Sequence, residues 1–235
     1  MVYRRRHYPA VLAGATLLAG IAGIVNLVGL LSVTGIATSH MTGAVSALSL
    51  SLVGGHILEI ERLILIVLSF LLGALISGFS TGSHRLDFRR RYGLLLILEA
   101  TLLMIAERCY DSTFIVPAEA LTAMACGLQN AMVTTVSGAV VRTTHLTGII
   151  TDLGIQLGRL IRGDGWQPAQ FILHAGILAG FFLGGMAGAW GYSILGSRIL
   201  QLVAGLLFGG GLVYFILRRQ IMRNRNQGEA LRAKD

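Results

Sequence analysis

The residues able to do chemistry in this chain are few, and most of them come in pairs. Asn26 lies three residues after Gly23, as Asn130 lies three after Gly127. Each is followed by a hexapeptide of one pattern: Thr38-Ser39-His40-Met41-Thr42-Gly43 and Thr143-Thr144-His145-Leu146-Thr147-Gly148. His40 and His145 are 105 residues apart, and Asn26 and Asn130 are 104 apart, which reads as an internal duplication with one inserted residue. Neutral amides inside apolar runs are costly unless partnered. Asn26, Gln129 and Asn130 therefore either hydrogen bond between helices or line a polar path. His40 and His145 can titrate near neutrality and gate such a path, or they can hydrogen bond locally at the interface.

Thr42-Gly43 and Thr147-Gly148 can break a helix, because glycine relaxes the backbone and threonine can satisfy a freed carbonyl. Broken half-helix ends can hold ions or polar groups; the plainer alternative is a tight turn near the interface. Glu99 is the only acid well inside an apolar run. It reads either as a proton-coupling carboxylate or as a paired structural residue. Asp152, Gln156 and Arg159 are spaced to share one helical face, which makes the segment around them amphipathic and suits an interfacial or cavity-lining helix. Asp152 joins the two histidines as a candidate for gating or protonation. The chain has no P-loop, no G-x-S-x-G, no H-E-x-x-H and no metal-ligand spacing. The expectation is a protein that is not an enzyme and needs no cofactor or metal.

Such residues must be positioned by membrane helices. The chain has 235 residues, 54% of them hydrophobic and 13% charged, with a mean hydropathy of +0.72. Soluble domains carry about 25% charge. The charges lie between apolar runs long enough to span a bilayer, which takes roughly 17–25 residues. Net charge is +8, but the arginines sit at span ends and in one tail, where membrane topology rather than nucleic acid places them. The run from Ala10 to Gly35 is too long for the core of a signal peptide and is read as a retained first span. Cys109 and Cys126 read as two small buried hydrophobes.

Six spans follow: Pro9 to Ile36, Leu63 to Thr81, Tyr92 to Ala106, Ala118 to Val141, Ala169 to Tyr192 and Ile199 to Leu217. Ala44 to Leu58 and Ile149 to Ile161 are too short to cross comfortably. If neither crosses, all of the 19 Lys and Arg except Arg62, Arg108 and Arg198 fall on one side, and the positive-inside rule makes that side cytoplasmic, with both termini. Each half then has three spans, so the second half starts from the opposite face, as in an inverted repeat. The Gly176-Gly180-Gly184-Gly188 series is a small-xxx-small ridge for close helix packing.

The combination of Gly23 with Asn26, the Met41-Thr42-Gly43 turn, Gly127-Leu128-Gln129-Asn130 and the Thr144 to Gly148 turn resembles the YoaK family of uncharacterised bacterial membrane proteins, over roughly Pro9 to Leu217. Asn26 stands where such proteins commonly carry an acid, and Ala44 where Asn is common. The resemblance implies an integral inner-membrane protein and supplies no reaction or substrate.

The expected fold is therefore all-α: a polytopic bundle of about six transmembrane helices in two inverted three-helix repeats (9–109 and 117–217), each with a short re-entrant or broken helix. A basic cytoplasmic segment (1–8) and a basic tail (218–235) flank it. The expected function is a small secondary transporter or permease of the bacterial cytoplasmic membrane, with a path along Asn26, Thr42, Gly43, Glu99, Gln129, Asn130, Thr147 and Gly148. The expected partners are the lipid bilayer, a small solute or proton, and a second copy through glycine-rich faces. The alternative is a non-transporting scaffold presenting Gly176–Gly188 to lipid or to a partner. A membrane enzyme acting on lipid has no catalytic set to carry it.

Overall fold

The computed structural model describes residues 8–32, 35–81, 92–112, 114–137 and 142–232. The Arg4–Arg6 cluster, the basic stretch His84–Arg91 and the end of the expected fourth span lie outside them. Eight α-helices are described: α1 (Tyr8–Leu31), α2 (Met41–Gly54), α3 (Ile57–Thr81), α4 (Tyr92–Asp111), α5 (Ile115–Ser137), α6 (Leu146–Arg162), α7 (Pro168–Leu195) and α8 (Ile199–Arg232). A single 3₁₀ turn, Gly196–Arg198, joins the last two.

Three apolar helical stretches are long enough to cross a membrane: Tyr8–Leu31, Ile57–Thr81 and the continuous Pro168–Gln220, which holds α7 and most of the apolar part of α8. Away from their ends, their outward side chains are largely apolar: Phe79 is 91% exposed and Trp190 72%, a surface that lipid rather than water can cover. Helices α4 and α5 have 20 and 23 residues but carry Glu99, Glu107 and Glu119. Helix α2 has 14 residues, about 21 Å at 1.5 Å per residue, short of a hydrocarbon core of about 30 Å. Helix α8 runs on to Arg232, so the basic tail expected to begin at residue 218 starts as a continuation of the last helix.

Helix pairing is set by glycine. Lipid tails are as apolar as leucine, so helices in a bilayer hold together by close packing rather than by hydrophobic burial. A methyl group on Gly23 would fall on the carbonyl oxygen of Phe181, and one on Gly184 would fall on that of Gly20. Between α3 and α5 the same reciprocal contact recurs: Gly127 faces the carbonyl of Phe70, and Gly73 that of Met124. In both pairs the glycine of one helix sits on the carbonyl three residues before the glycine of the other. Along the first pair, Gly176 lies against Leu12 and Thr16, Gly180 against Thr16, Gly184 against Gly20 and Gly188 against Ile24, so α1 and α7 run parallel. The same order, from Arg62 with Glu119 to Gly73 with Leu128, makes α3 and α5 parallel. Helices α4 and α8 pair through Gly93 and Gly211, each against the other's carbonyl.

The Gly176–Gly188 ridge is thus occupied inside the chain by α1, as a ridge for close helix packing should be. Gly180, Gly184 and Gly188 are buried there, which goes against the scaffold alternative's placing of this ridge at lipid or a partner.

Candidate functional site

Both hexapeptides lie between a long helix and a short one, and the short helix begins inside each of them. His40 is the N-cap of α2 and His145 the N-cap of α6. Thr42 and Gly43, like Thr147 and Gly148, therefore stand in the first turn of a new helix. The helix starts at these residues rather than breaking there. The glycine has a local reason: the imidazole folds over it, with His40 Nδ1 3.0 Å from where a Gly43 methyl would be and His145 Nδ1 2.6 Å from the equivalent point at Gly148. His40 and His145 are both exposed. The Thr42 and Thr147 side chains are exposed too, and their carbonyls accept matching bonds from Ser46 and Thr151, each at 2.9 Å. Both short helices end on a left-handed glycine, Gly55 at φ 70° and Gly163 at φ 77°, a backbone state that favours glycine.

The two asparagines hold these loops to the long helices. The Ser39 hydroxyl donates to Asn26 Oδ1 at 2.6 Å. In the second half, Thr143 Oγ1 donates to Asn130 Oδ1 at 2.8 Å, the Thr144 amide donates to the same oxygen at 3.2 Å, and Asn130 Nδ2 donates to Thr144 Oγ1. Ser39 and Thr144 occupy the same position of the repeat. Asn26 and Asn130 thus each find a hydroxyl partner in the hexapeptide that follows. Gln129, fully buried, crosses between the halves instead: its Nε2 donates to the Leu18 carbonyl at 2.6 Å, tying α5 to α1.

Glu99 is buried in the middle of α4, and its Oε2 has no hydrogen-bond partner. It interacts electrostatically with the free thiol of Cys126 on α5. Glu99 does not approach the two asparagine ties through any described hydrogen bond.

Two acids nearer the helix ends are also buried, beyond what the sequence marked. Glu107 and Glu119 are as deeply buried. Arg62 reaches Glu119 with two bonds, Nε to Oε2 at 2.6 Å and Nη2 to Oε1 at 2.7 Å, joining α3 to α5. Beside that pair is a surface groove of about 600 Å³ lined by Leu58, Glu59, Glu61, Arg62, Leu65 and Val116. On the opposite half, buried His174 of α7 meets α6: Gln156 Nε2 lies 3.3 Å from His174 Nδ1, and Asp152 Oδ2 lies 3.9 Å from His174 Nε2. Asp152 and Gln156 share the expected face, whereas Arg159 points outward. His174 had one available signal: a polar i, i+4 pair on an amphipathic helix requires a polar partner on the helix beneath it. Among the described residues, no cluster of three or more His, Cys, Asp or Glu could hold a metal.

Apolar outward faces, glycine-locked helix pairs and buried polar ties define a multi-pass helical membrane protein. Comparison with known families gives a match to "Protein of unknown function (DUF1275)" over residues 14–213, and the chain belongs to that family. No curated protein and no solved structure matches it.

Proposed function

We propose that this protein is a small secondary transporter of the bacterial cytoplasmic membrane, built as two inverted repeats of three spans each. In that arrangement α1, α3 and α4 span in the first half, and α5, α7 and α8 in the second, while α2 and α6 do not cross. The observation that carries the reading is the twice-built unit of long helix, asparagine tie, histidine N-cap and short helix. Two features support the inversion. The pairing is exchanged between halves: α1 packs on α7, the third-helix equivalent of the other half, and α5 packs likewise on α3. The two core clusters group Ala15 and Ala19 with Leu128, Met132 and Val133, and Ile21, Val25 and Val28 with Ala125 and Cys126. That is the order of an α1 and an α5 running in opposite directions. The two hexapeptides then meet opposite faces of the membrane, a geometry suited to alternating access.

Both termini are cytoplasmic in this account, by the arginine distribution. The path passes between the two ties, with Glu99 the carboxyl group for proton coupling and a small solute the cargo. The protein needs no cofactor and does no covalent chemistry on its substrate. The scaffold reading loses its main support, because the glycine ridge that would have met a partner is used against α1.

The test is uptake of labelled metabolites into proteoliposomes, with and without a pH gradient, for the natural protein, for Glu99→Gln and for the double variant Asn26→Ala/Asn130→Ala. Gradient-driven uptake that is lost in Glu99→Gln and in the double variant is expected. Gradient-driven uptake retained in both would overturn the assignment of the path, and absence of flux across solute classes would overturn transport itself.

A further inference from the structure

Helix α4 carries more buried polarity than a coupling carboxyl alone requires. At 100° per residue, Glu99, Glu107 and Tyr110 fall within about 80° of one another around the helix, so they share one side of it. Glu99 Oε2, Glu107 Oε2 and Tyr110 Oη are all buried; Glu99 Oε2 has no hydrogen-bond partner, Glu107 Oε2 has the Arg108 guanidinium within ion-pair distance, and Tyr110 Oη has the Thr122 side chain beside it. Glu99 and Glu107 are each 1% exposed. Buried oxygens without partners are rare in folded proteins, and the one on Glu99 calls for an explanation. The groups facing this line are themselves polar. Cys126 lies near Glu99, and Tyr110 has the Thr122 side chain within bonding reach, with Glu119, Cys126 and Tyr192 around it. Glu119 is taken up by Arg62. The Thr122 hydroxyl is turned to the α5 carbonyls of Ala118 and Glu119. Arg108, 71% exposed, holds its Nε 3.6 Å from Glu107 Oε2, so Glu107 is the member of the line next to the surface.

We infer that Glu107 and Tyr110 form the proton entrance to Glu99, opening at the Arg108–Asp111 end of α4 and carried inward by water along this side of the helix. The inference rests on the transport reading and adds the route and its sidedness. On the proposed topology that end faces the outside of the cell. A hydronium ion at the mouth gives its proton to the Glu107 carboxylate and leaves as water. Glu107 then passes a proton through bridging water to the Glu99 carboxylate, returning to its charged form as Glu99 becomes neutral. Eight residues of helix separate the two acids by about 12 Å, so water must bridge them, and the unpartnered Glu99 oxygen is what that water would bond. Tyr110, both donor and acceptor, holds the first water at the mouth.

The test reads the carboxyl proton directly and needs no substrate. Infrared spectra of the full chain in lipid vesicles, compared with Glu99→Gln, identify the carboxyl band of Glu99; switching the buffer from H₂O to D₂O then times its exchange. Glu107→Gln keeps shape and removes the carboxylate, and should slow that exchange by about 10²-fold, the scale of losing one proton-transfer group. Glu107→Asp should restore most of it, and Tyr110→Phe should slow it less than Glu107→Gln does. Exchange unchanged in both Glu107→Gln and Tyr110→Phe, or a Glu99 carboxyl that never exchanges in the natural protein, would overturn the entrance. If Glu107→Gln fails to fold, the comparison of Tyr110→Phe with the natural protein decides alone. Absent metabolite uptake with slowed exchange would reject transport and keep the proton route; intact uptake with unchanged exchange would do the reverse.

Discussion

At the scale of single residues, the polar side chains are held by partners that differ between the halves in number rather than in kind. Among the described residues, Asn130 makes three hydrogen bonds to its hexapeptide and Asn26 one. Removing an amide leaves its buried partners unsatisfied, at about 1–3 kcal/mol. Thermal unfolding in detergent should therefore place Asn130→Ala well below Asn26→Ala, and equal losses would mean that the two ties are not what holds the loops. The Arg62–Glu119 pair behaves differently, because its carboxylate is wholly buried and the arginine nearly so. Arg62→Ala should cost about 3–5 kcal/mol, the penalty of an uncompensated buried charge. The double variant Arg62→Leu/Glu119→Leu should recover much of that loss in the same melt, and a double variant no better than the single would contradict a pair that acts as a unit. The sequence marks Asn26, Asn130 and Gln129 as amides in need of partners, since their cost in an apolar run is a matter of composition. It does not say which partner each finds. Asn130 turns to its own loop, while Gln129, one residue earlier and about 100° around the helix, reaches α1.

At the scale of elements, stability rests on backbone contacts that tolerate no side chain. A methyl on Gly127 would land on the Phe70 carbonyl, with the Phe70 Cα at 3.0 Å. Neither atom can swing away as a flexible side chain could, so α3 and α5 must part. Gly127→Ala should lower the melting temperature sharply or abolish the folded peak in gel filtration. Gly78→Ala, on the exposed face of the same α3 with open space around it, should be neutral or raise stability by up to about 1 kcal/mol from helix propensity. A similar response from both would remove the argument that glycine sets the pairing. The glycine ridges are visible in the sequence as four-residue spacing, but spacing names one face and not its mate. The pairing of α1 with α7, rather than of neighbours in the chain, depends on long-range packing that no local pattern encodes. The short helices were visible as segments too short to cross. Their starting points were hidden, because Thr-Gly has the same composition whether it breaks a helix or opens one beneath a histidine cap.

At the scale of the whole molecule, the account stands on the halves being related by inversion. The repeated hexapeptides and the arginine distribution are the sequence grounds for that proposal, whereas the parallel orders of α1 with α7 and of α3 with α5 needed the packed chain. The burial of Glu107 on α4 lay beyond sequence reading for a related reason. Glu107 stands at the end of an apolar run beside Arg108, where it reads as interfacial until neighbouring helices are seen to cover it. The most direct measurement is sidedness of labelling at Thr42 and Thr147, two exposed, equivalent positions. In a background with Cys109 and Cys126 replaced by serine and alanine, Thr42→Cys and Thr147→Cys would each be exposed to a membrane-impermeant thiol reagent in right-side-out and inverted vesicles. The inverted repeat predicts that Thr42→Cys is labelled only from the outer face and Thr147→Cys only from the cytoplasmic face. Labelling of both from the same side would contradict the inversion, and with it the alternating-access account.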